Sequence, residues 1–192
     1  EGERVDRTYM DFEEMVIAAG LTVERHSVTT NDGYINTMFR VYQGSPKTMR
    51  SRDYEFENKP VLFIQHGFMD SSDPFVINEP DRALATVAAF EGYDVWLGNH
   101  RGNRYSRQHV RLDPDHDKEY WQFSWTDQAR YDTPTFIRYV AYITHCVEEG
   151  HPMVYLGQSL AGVQSLLAVA ENPWFFKKHL SLYIALVPLG NM

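Results

Sequence analysis

The chain holds one cysteine, Cys146, among 192 residues, which excludes an internal disulfide. No apolar run approaches the ~20 residues that a bilayer-spanning helix requires. Basic residues are in deficit: 18 Lys and Arg against 26 Asp and Glu give a formal charge of −8, spread along the chain. With no basic cluster, nucleic acid is not an expected partner. Neither G-x-x-x-x-G-K-[ST] nor G-x-G-x-x-G occurs, so a nucleotide cofactor has no support and none is expected. His26, His100, His109, His145 and His151 show no metal-ligand spacing with cysteine or carboxylate. Asp113-Pro-Asp-His-Asp117 imitates the start of a calcium loop. Lys118 stands where that loop needs glycine and Ser124 where it needs glutamate, so it reads as a solvated acidic loop. Asn-x-Ser/Thr is absent, and Glu1–Arg7 is not composed like a signal peptide, which leaves a processed start and the compartment open.

What is present is material for a packed core. Hydrophobic residues make up 43% of the chain, with 11 Phe, 12 Tyr and 4 Trp, enough for one globular domain. Phe12, Met15, Val16 and Ala19 recur at helical spacing, which predicts a helix over Tyr9–Gly20 closed by its glycine. Leu21–Thr30 and Tyr34–Tyr42 are rich in β-formers and flank Asn31-Asp32-Gly33, a hairpin signal. Gly44–Lys59 mixes both charge signs with Pro46 and reads as an exposed loop. Pro60–Gln65 is a short unbroken apolar run, as in a strand buried on both faces.

Beyond it the pattern alternates. Helices are predicted over Pro80–Phe90, Thr133–Glu149 and Leu160–Glu171, and strands over Tyr93–Leu97, Met153–Leu156 and Leu180–Val187. Cys146 joins the helical stripe of Ile137, Val140 and Ile143, the place of an inert core thiol. A hairpin followed by βαβ alternation predicts a mostly parallel sheet with helices on both faces.

Gly157-Gln158-Ser159-Leu160-Ala161 sits where a predicted strand turns into a predicted helix. Strand, sharp turn and helix with a serine at the apex match the nucleophile elbow of an α/β-hydrolase. Such a turn lifts the hydroxyl clear of the sheet edge, and small residues at 157, 161 and 162 let strand and helix approach. A five-residue motif of this kind also describes an ordinary strand-to-helix turn, and Ala161 departs from its second glycine. His66-Gly67-Phe68 directly follows the buried strand. In this fold one oxyanion donor is the N–H after the nucleophile and another comes from the loop after an earlier strand. Leu160 and Phe68 hold those positions.

Several longer segments, in order and spacing, resemble the acid lipases, the gastric and lysosomal family that includes steryl-ester hydrolases. They are Gln65-His-Gly-Phe68, Gly92-Tyr-Asp-Val-Trp-Leu-Gly-Asn99, Arg101-Gly-Asn103, Phe123-Ser-Trp-Thr-Asp127 and Tyr131-Asp-Thr-Pro134. The Asp32-Gly33-Tyr34 hairpin is similar to that family's opening lipase-associated segment, and the resemblance runs from about Tyr9 to Pro188. It implies that Ser159 is the nucleophile of a lipid carboxylic ester hydrolase, acting on triacylglycerols or steryl esters. It also implies that the N–H groups of Phe68 and Leu160 form the oxyanion hole, supported by His66, Gly67, Gly157, Gln158 and Ala161. Family members carry Gly-His-Ser-Gln-Gly at the elbow. Here Gln158, Leu160 and Ala161 replace the histidine, glutamine and second glycine.

The family supplies its aspartate and histidine after two further strands, beyond a lid over the acyl pocket. After Ser159 this chain offers only Glu171, close to the elbow helix, and His179, ahead of the last strand. The expectation is therefore a single incomplete α/β-hydrolase domain over residues 1–192. Residues 1–44 form the N-terminal helix and hairpin, and 60–192 the core through the strand after the nucleophile helix. A second polypeptide would carry the remaining strands, the lid, the Asp and the His, with Leu180–Val187 a central strand of the joint sheet. Two other readings stand beside the enzyme: a non-catalytic hydrolase-like subunit of a larger assembly, and a lipid-binding module without turnover. The resemblance points to a secretory or lysosomal location, while the lone cysteine and missing sequon leave an intracellular one open.

Overall fold

A computed structural model describes residues 9–44 and 59–188. Most of the expected Gly44–Lys59 loop, residues 45–58, lies outside the described residues. Helix α1 (Phe12–Ala18) begins at a capping box in which Asp11 and Glu14 satisfy each other's backbone N–H groups. It buries Phe12, Met15 and Val16. Strands β1 (Thr22–Thr29) and β2 (Tyr34–Tyr42) form the expected hairpin, with Thr29 opposite Ile35. Gly33 turns it at φ +98, and a β-carbon there would stand 2.8 Å from the His109 ring.

The chain continues through β3 (Val61–Gln65), α2 (Leu84–Phe90), β4 (Asp94–Gly98) and the two-residue β5 (Gln108–His109). A short α3 (Trp125–Asp127) leads through a π-turn, Gln128–Asp132, into α4 (Thr133–Thr144). Then come β6 (Met153–Gln158), α5 (Leu160–Glu171), α6 (Pro173–His179) and β7 (Leu180–Leu186). The sheet order is β1-β2-β4-β3-β6-β7, with β5 paired to β2. Strands β4, β3, β6 and β7 run parallel, while β2 is antiparallel to β1, β4 and β5.

Period-two alternation divides the interior into two cores. Leu62, Ile64, Val95, Leu97 and Leu156 face one side, where α1 and α2 supply Phe12, Met15 and Ala85. Phe63, Trp96, Met153 and Tyr155 face the other, against Phe136 and Val140 of α4, Ala168 of α5 and Phe176 of α6. Phe63, Tyr155 and Tyr183 stack across three neighbouring strands, with centroids 5.4 and 5.8 Å apart. Pairs of this kind contribute about 0.2–1 kcal/mol each. Among the described residues no helix is long and apolar enough to cross a membrane.

Two expected helix bounds need adjustment. The helix predicted from Pro80 starts at Leu84, because Ala83 is extended and the preceding residues form a turn. The helix predicted to Glu149 stops at Thr144, where His145 adopts a left-handed conformation at φ 53. Cys146 thus lies beyond the helix, yet it is buried in the same core, and burial raises its thiol pKa. Helix α6 was not anticipated, although Asn172 caps it and Pro173 occupies its first turn. Among the described residues β7 pairs with β6 alone, and its Leu182 is 53% exposed.

Candidate functional site

Ser159 is the single residue between β6 and α5. Its φ of 54 and ψ of −119 fall outside the regions open to ordinary L-residues. Such backbone costs on the order of 1–3 kcal/mol and persists only where its surroundings enforce it. Here its N–H donates to the Leu186 carbonyl at 2.8 Å, and its carbonyl accepts from the Gly162 N–H at 3.0 Å. Position 157 is crowded by backbone, since a β-carbon there would lie 3.0 Å from the Ala161 carbonyl carbon and from the Gly162 nitrogen. Ala161 is fully buried, so the elbow forms with alanine in place of the second glycine. The Ser159 hydroxyl makes no hydrogen bond among the described residues.

The loop after β3 lies against this serine. A β-carbon on Gly67 would stand 3.1 Å from Ser159 Cβ and 3.3 Å from the Gln158 carbonyl oxygen. His66 is buried and orders that loop. Its Nε2 faces two donors, the His100 N–H at 3.1 Å and Asn103 Nδ2 at 3.2 Å. Nε2 must therefore present its lone pair, which places the proton on Nδ1 and makes Nδ1–H donate to the Gly67 carbonyl at 2.8 Å. In a trans peptide the C=O and N–H point in opposite directions. Holding the Gly67 carbonyl toward His66 turns the Phe68 N–H away from it, and that N–H has no acceptor among the described residues. Leu160 N–H, first in α5, is likewise unengaged, as helix starts leave their leading donors. Burial, followed by the nearby His100, lowers the His66 pKa to about 3, which keeps the ring neutral.

The Arg101-Gly-Asn103 segment braces the same loop. Asn103 Nδ2 also reaches Asn99 Oδ1 at 2.8 Å and the Asp70 carbonyl at 3.3 Å, while Asn99 Oδ1 accepts from Ser72 N–H. Arg101 is clamped between two carboxylates. Its Nε and Nη2 donate to Asp132 Oδ1 at 2.9 and 2.7 Å, and both Nη groups reach Asp32 in the hairpin turn. The guanidinium also lies 3.9 Å from the Tyr34 ring centroid. Asp132 is fully buried. Burial alone would raise its pKa, but the His100 hydrogen bond and the Arg101 charge reverse that and hold it below the ordinary carboxylate range. Asn103 and Asp132 lie in the family-like segments Arg101-Gly-Asn103 and Tyr131-Asp-Thr-Pro134, but their support of the loop, like that of His100, emerges only in the fold.

Above the ends of β3 and β4 opens a cavity of about 610 Å³. Gly67, Phe68 and Met69 line it on one side and Trp121 and Phe123 on the other. Phe68 is 70% exposed and Met69 90%. Neither late candidate acid nor base approaches Ser159. Glu171, at the far end of α5 and about 16 Å along its axis, is exposed and paired with Arg130. His179 precedes β7 beside Met153, at the opposite end of the sheet and about 20 Å along β6 from Ser159. His179 Nδ1 is bonded to the Phe175 carbonyl. Among the described residues no cluster of three His, Cys, Asp or Glu stands ready to hold a metal ion.

Two family profiles match the chain, a partial alpha/beta-hydrolase lipase region over residues 12–79 and the alpha/beta hydrolase fold over residues 60–182. The chain belongs to the α/β-hydrolase family. Within it the chain is acid-lipase-like. It is 34% identical over 184 residues to lipase member K of Mus musculus, covering 95% of this chain and 43% of that one. To the gastric triacylglycerol lipase of Rattus norvegicus it is 34% identical over 183 residues, covering 95% and 44%. To lipase 1 of Drosophila melanogaster it is 37% identical over 180 residues, covering 93% and 36%. The chain thus spans less than half the length of these relatives. Among solved structures, a Pyrococcus furiosus esterase aligns with a TM-score of 0.60 at 12% identity, covering 98% of this chain and 58% of its own. That likeness bears on the fold alone.

Proposed function

We propose that this chain is the N-terminal part of a lipid ester hydrolase in which Ser159 is the nucleophile. The observation that carries the reading is the strained backbone of Ser159 with the Gly67 loop packed against it and its hydroxyl unengaged. The hydroxyl oxygen attacks the acyl carbonyl carbon. The oxyanion that forms is received by the N–H groups of Phe68 and Leu160, the alcohol leaves, and water hydrolyses the acyl-enzyme. The cavity beside the Gly67 loop, which combines Phe68, Met69, Trp121 and Phe123 with the charged Asp70, Asp73, Arg101 and Arg104, gives an ester an apolar wall and a polar one.

The proton acceptor for Ser159 and its carboxylate partner come from outside these 192 residues. A second polypeptide or a further stretch of the same chain supplies them. The second arrangement is favoured by the named relatives, which carry on one chain more than twice the length matched here. On this reading residues 1–192 form one incomplete domain, and β7, with its exposed Leu182 and Leu186, receives the next strand and its covering helix.

A non-catalytic hydrolase-like subunit is the rival, favoured by the lack of a base beside Ser159 among the described residues. Reaction of the native protein with a fluorophosphonate, mapped by mass spectrometry, separates the two. The enzyme reading requires modification at Ser159 and loss of ester hydrolysis in Ser159→Ala. Hydrolysis or labelling that survives Ser159→Ala would overturn it.

A further inference from the structure

We infer that Asn103, acting through His66, is a positioning residue that aims the Phe68 N–H at the reacting carbonyl. The inference rests on the proposed role of Ser159 and goes beyond it in naming what presets the oxyanion loop. Asn103 lies in the loop after β4, and its amide is committed on both sides. Its Oδ1 accepts from the Tyr105 and Ser106 N–H groups at 3.0 and 3.1 Å, so Nδ2 is the end that must face His66. There it donates alongside the His100 N–H, leaving His66 Nε2 no option but to accept. The tautomer of a buried ring is thereby fixed by a backbone N–H together with an uncharged side chain, and Nδ1–H holds the Gly67 carbonyl. The Gly67–Phe68 peptide can then present its N–H only on the opposite face, and Gly67 itself packs on Ser159.

The groups around His66 leave this tautomer undisturbed. His100 stands edge-on with ring centroids 5.3 Å apart, and its Nδ1 is turned to Asp132, which also binds Arg101. Asp70, in the same loop, turns its carboxylate to the Ser71 N–H. Gln158 and Ser159, across the loop, carry no charge.

The test is to give His66 a different neighbour. Asn103→Asp replaces one donor with a carboxylate, which competes with the remaining His100 N–H and draws a proton to Nε2, leaving a neutral ring with a bare Nδ1 facing the Gly67 carbonyl. In the native enzyme, kcat for a soluble p-nitrophenyl ester should fall by about tenfold or more at neutral pH, with KM little changed. Activity should return relative to wild type as the pH is lowered and the ring becomes doubly protonated, restoring Nδ1–H. His66→Asn places an amide donor near the Nδ1 position and should retain more kcat than His66→Gln, which places one near Nε2. Circular dichroism confirms that each variant is folded.

A pH profile for Asn103→Asp parallel to wild type, or His66→Asn no better than His66→Gln, would overturn the inference. Ser159→Ala keeps the two readings apart. If it remains active, the proposed function fails; if it is inactive while Asn103→Asp follows the wild-type profile, the positioning role alone fails.

Discussion

Gly67 lies so close to Ser159 that a β-carbon at position 67 would stand 3.1 Å from the serine Cβ and 3.6 Å from its Oγ. Contacts that short must be relieved by a shift of a few tenths of an ångström. The backbone on the far side is the Gln158 carbonyl, 3.3 Å away, which has little room to yield. Gly67→Ala should therefore keep the fold, at a cost of about 1–2 kcal/mol, and lower kcat on the order of tenfold or more through the displaced loop. Thermal melting and ester kinetics check both parts. Unchanged kcat would mean that the loop does not contribute to the site.

Ser159 holds its strained backbone with a side chain that makes no stabilising bond of its own. Glycine adopts such φ and ψ values freely. Ser159→Gly should raise the melting temperature, by about 1 kcal/mol in stability, while ester hydrolysis disappears. Ser159→Ala removes the hydroxyl but not the strain and should melt close to wild type. A destabilised glycine variant would contradict the claim of stored strain.

Ala161 is fully buried at the start of α5, where the related elbow pattern has glycine. Ala161→Gly should leave hydrolysis level or higher and change stability by at most about 1 kcal/mol. A large loss of kcat would show that the methyl group serves the site.

The two carboxylates that hold Arg101 are not equivalent. Asp132 is fully buried, whereas the Asp32 side chain is 27% exposed. Asp132→Asn leaves a buried guanidinium short of charge and should destabilise by about 3 kcal/mol or more. Asp32→Asn should cost about 1 kcal/mol, since water reaches that end of the pair. Urea denaturation of both variants should rank them in that order, and equal midpoints would refute it.

Stability should decline on the acid side for two reasons of the same sign. The unfolded chain protonates His66 near its ordinary value of 6.5, while the folded protein refuses the proton until about 3. Between those limits the unfolded state binds more protons, so stability is lost as pH falls. Asp132, with its pKa depressed in the folded state, contributes stability above the ordinary carboxylate value that is lost as pH falls through its folded value. The His66 slope, on the order of 4 kcal/mol across the range, should flatten in His66→Phe. Identical slopes of melting temperature against pH in wild type and variant would rule out this assignment.

Local chemistry made much of the fold readable from sequence alone. Short apolar runs at Val61–Gln65 and Met153–Leu156 point to buried strands, Asn31-Asp32-Gly33 signals a hairpin turn, and Gly157–Ala161 marks a sharp strand-to-helix turn. These features act over a few residues, and both faces of a parallel strand must be apolar wherever it lies. Element ends were less legible. The stop at His145 and the turn before Leu84 depend on backbone angles set by distant packing rather than by local propensity. Only the tertiary structure decided the support of the site. His66, His100, Asn103 and Asp132 come from three separate connections, and their tautomers and charges exist only once β3, β4 and α4 lie side by side. Sequence order cannot reveal which nitrogen of His66 carries the proton, because that is decided by two donors more than thirty positions away.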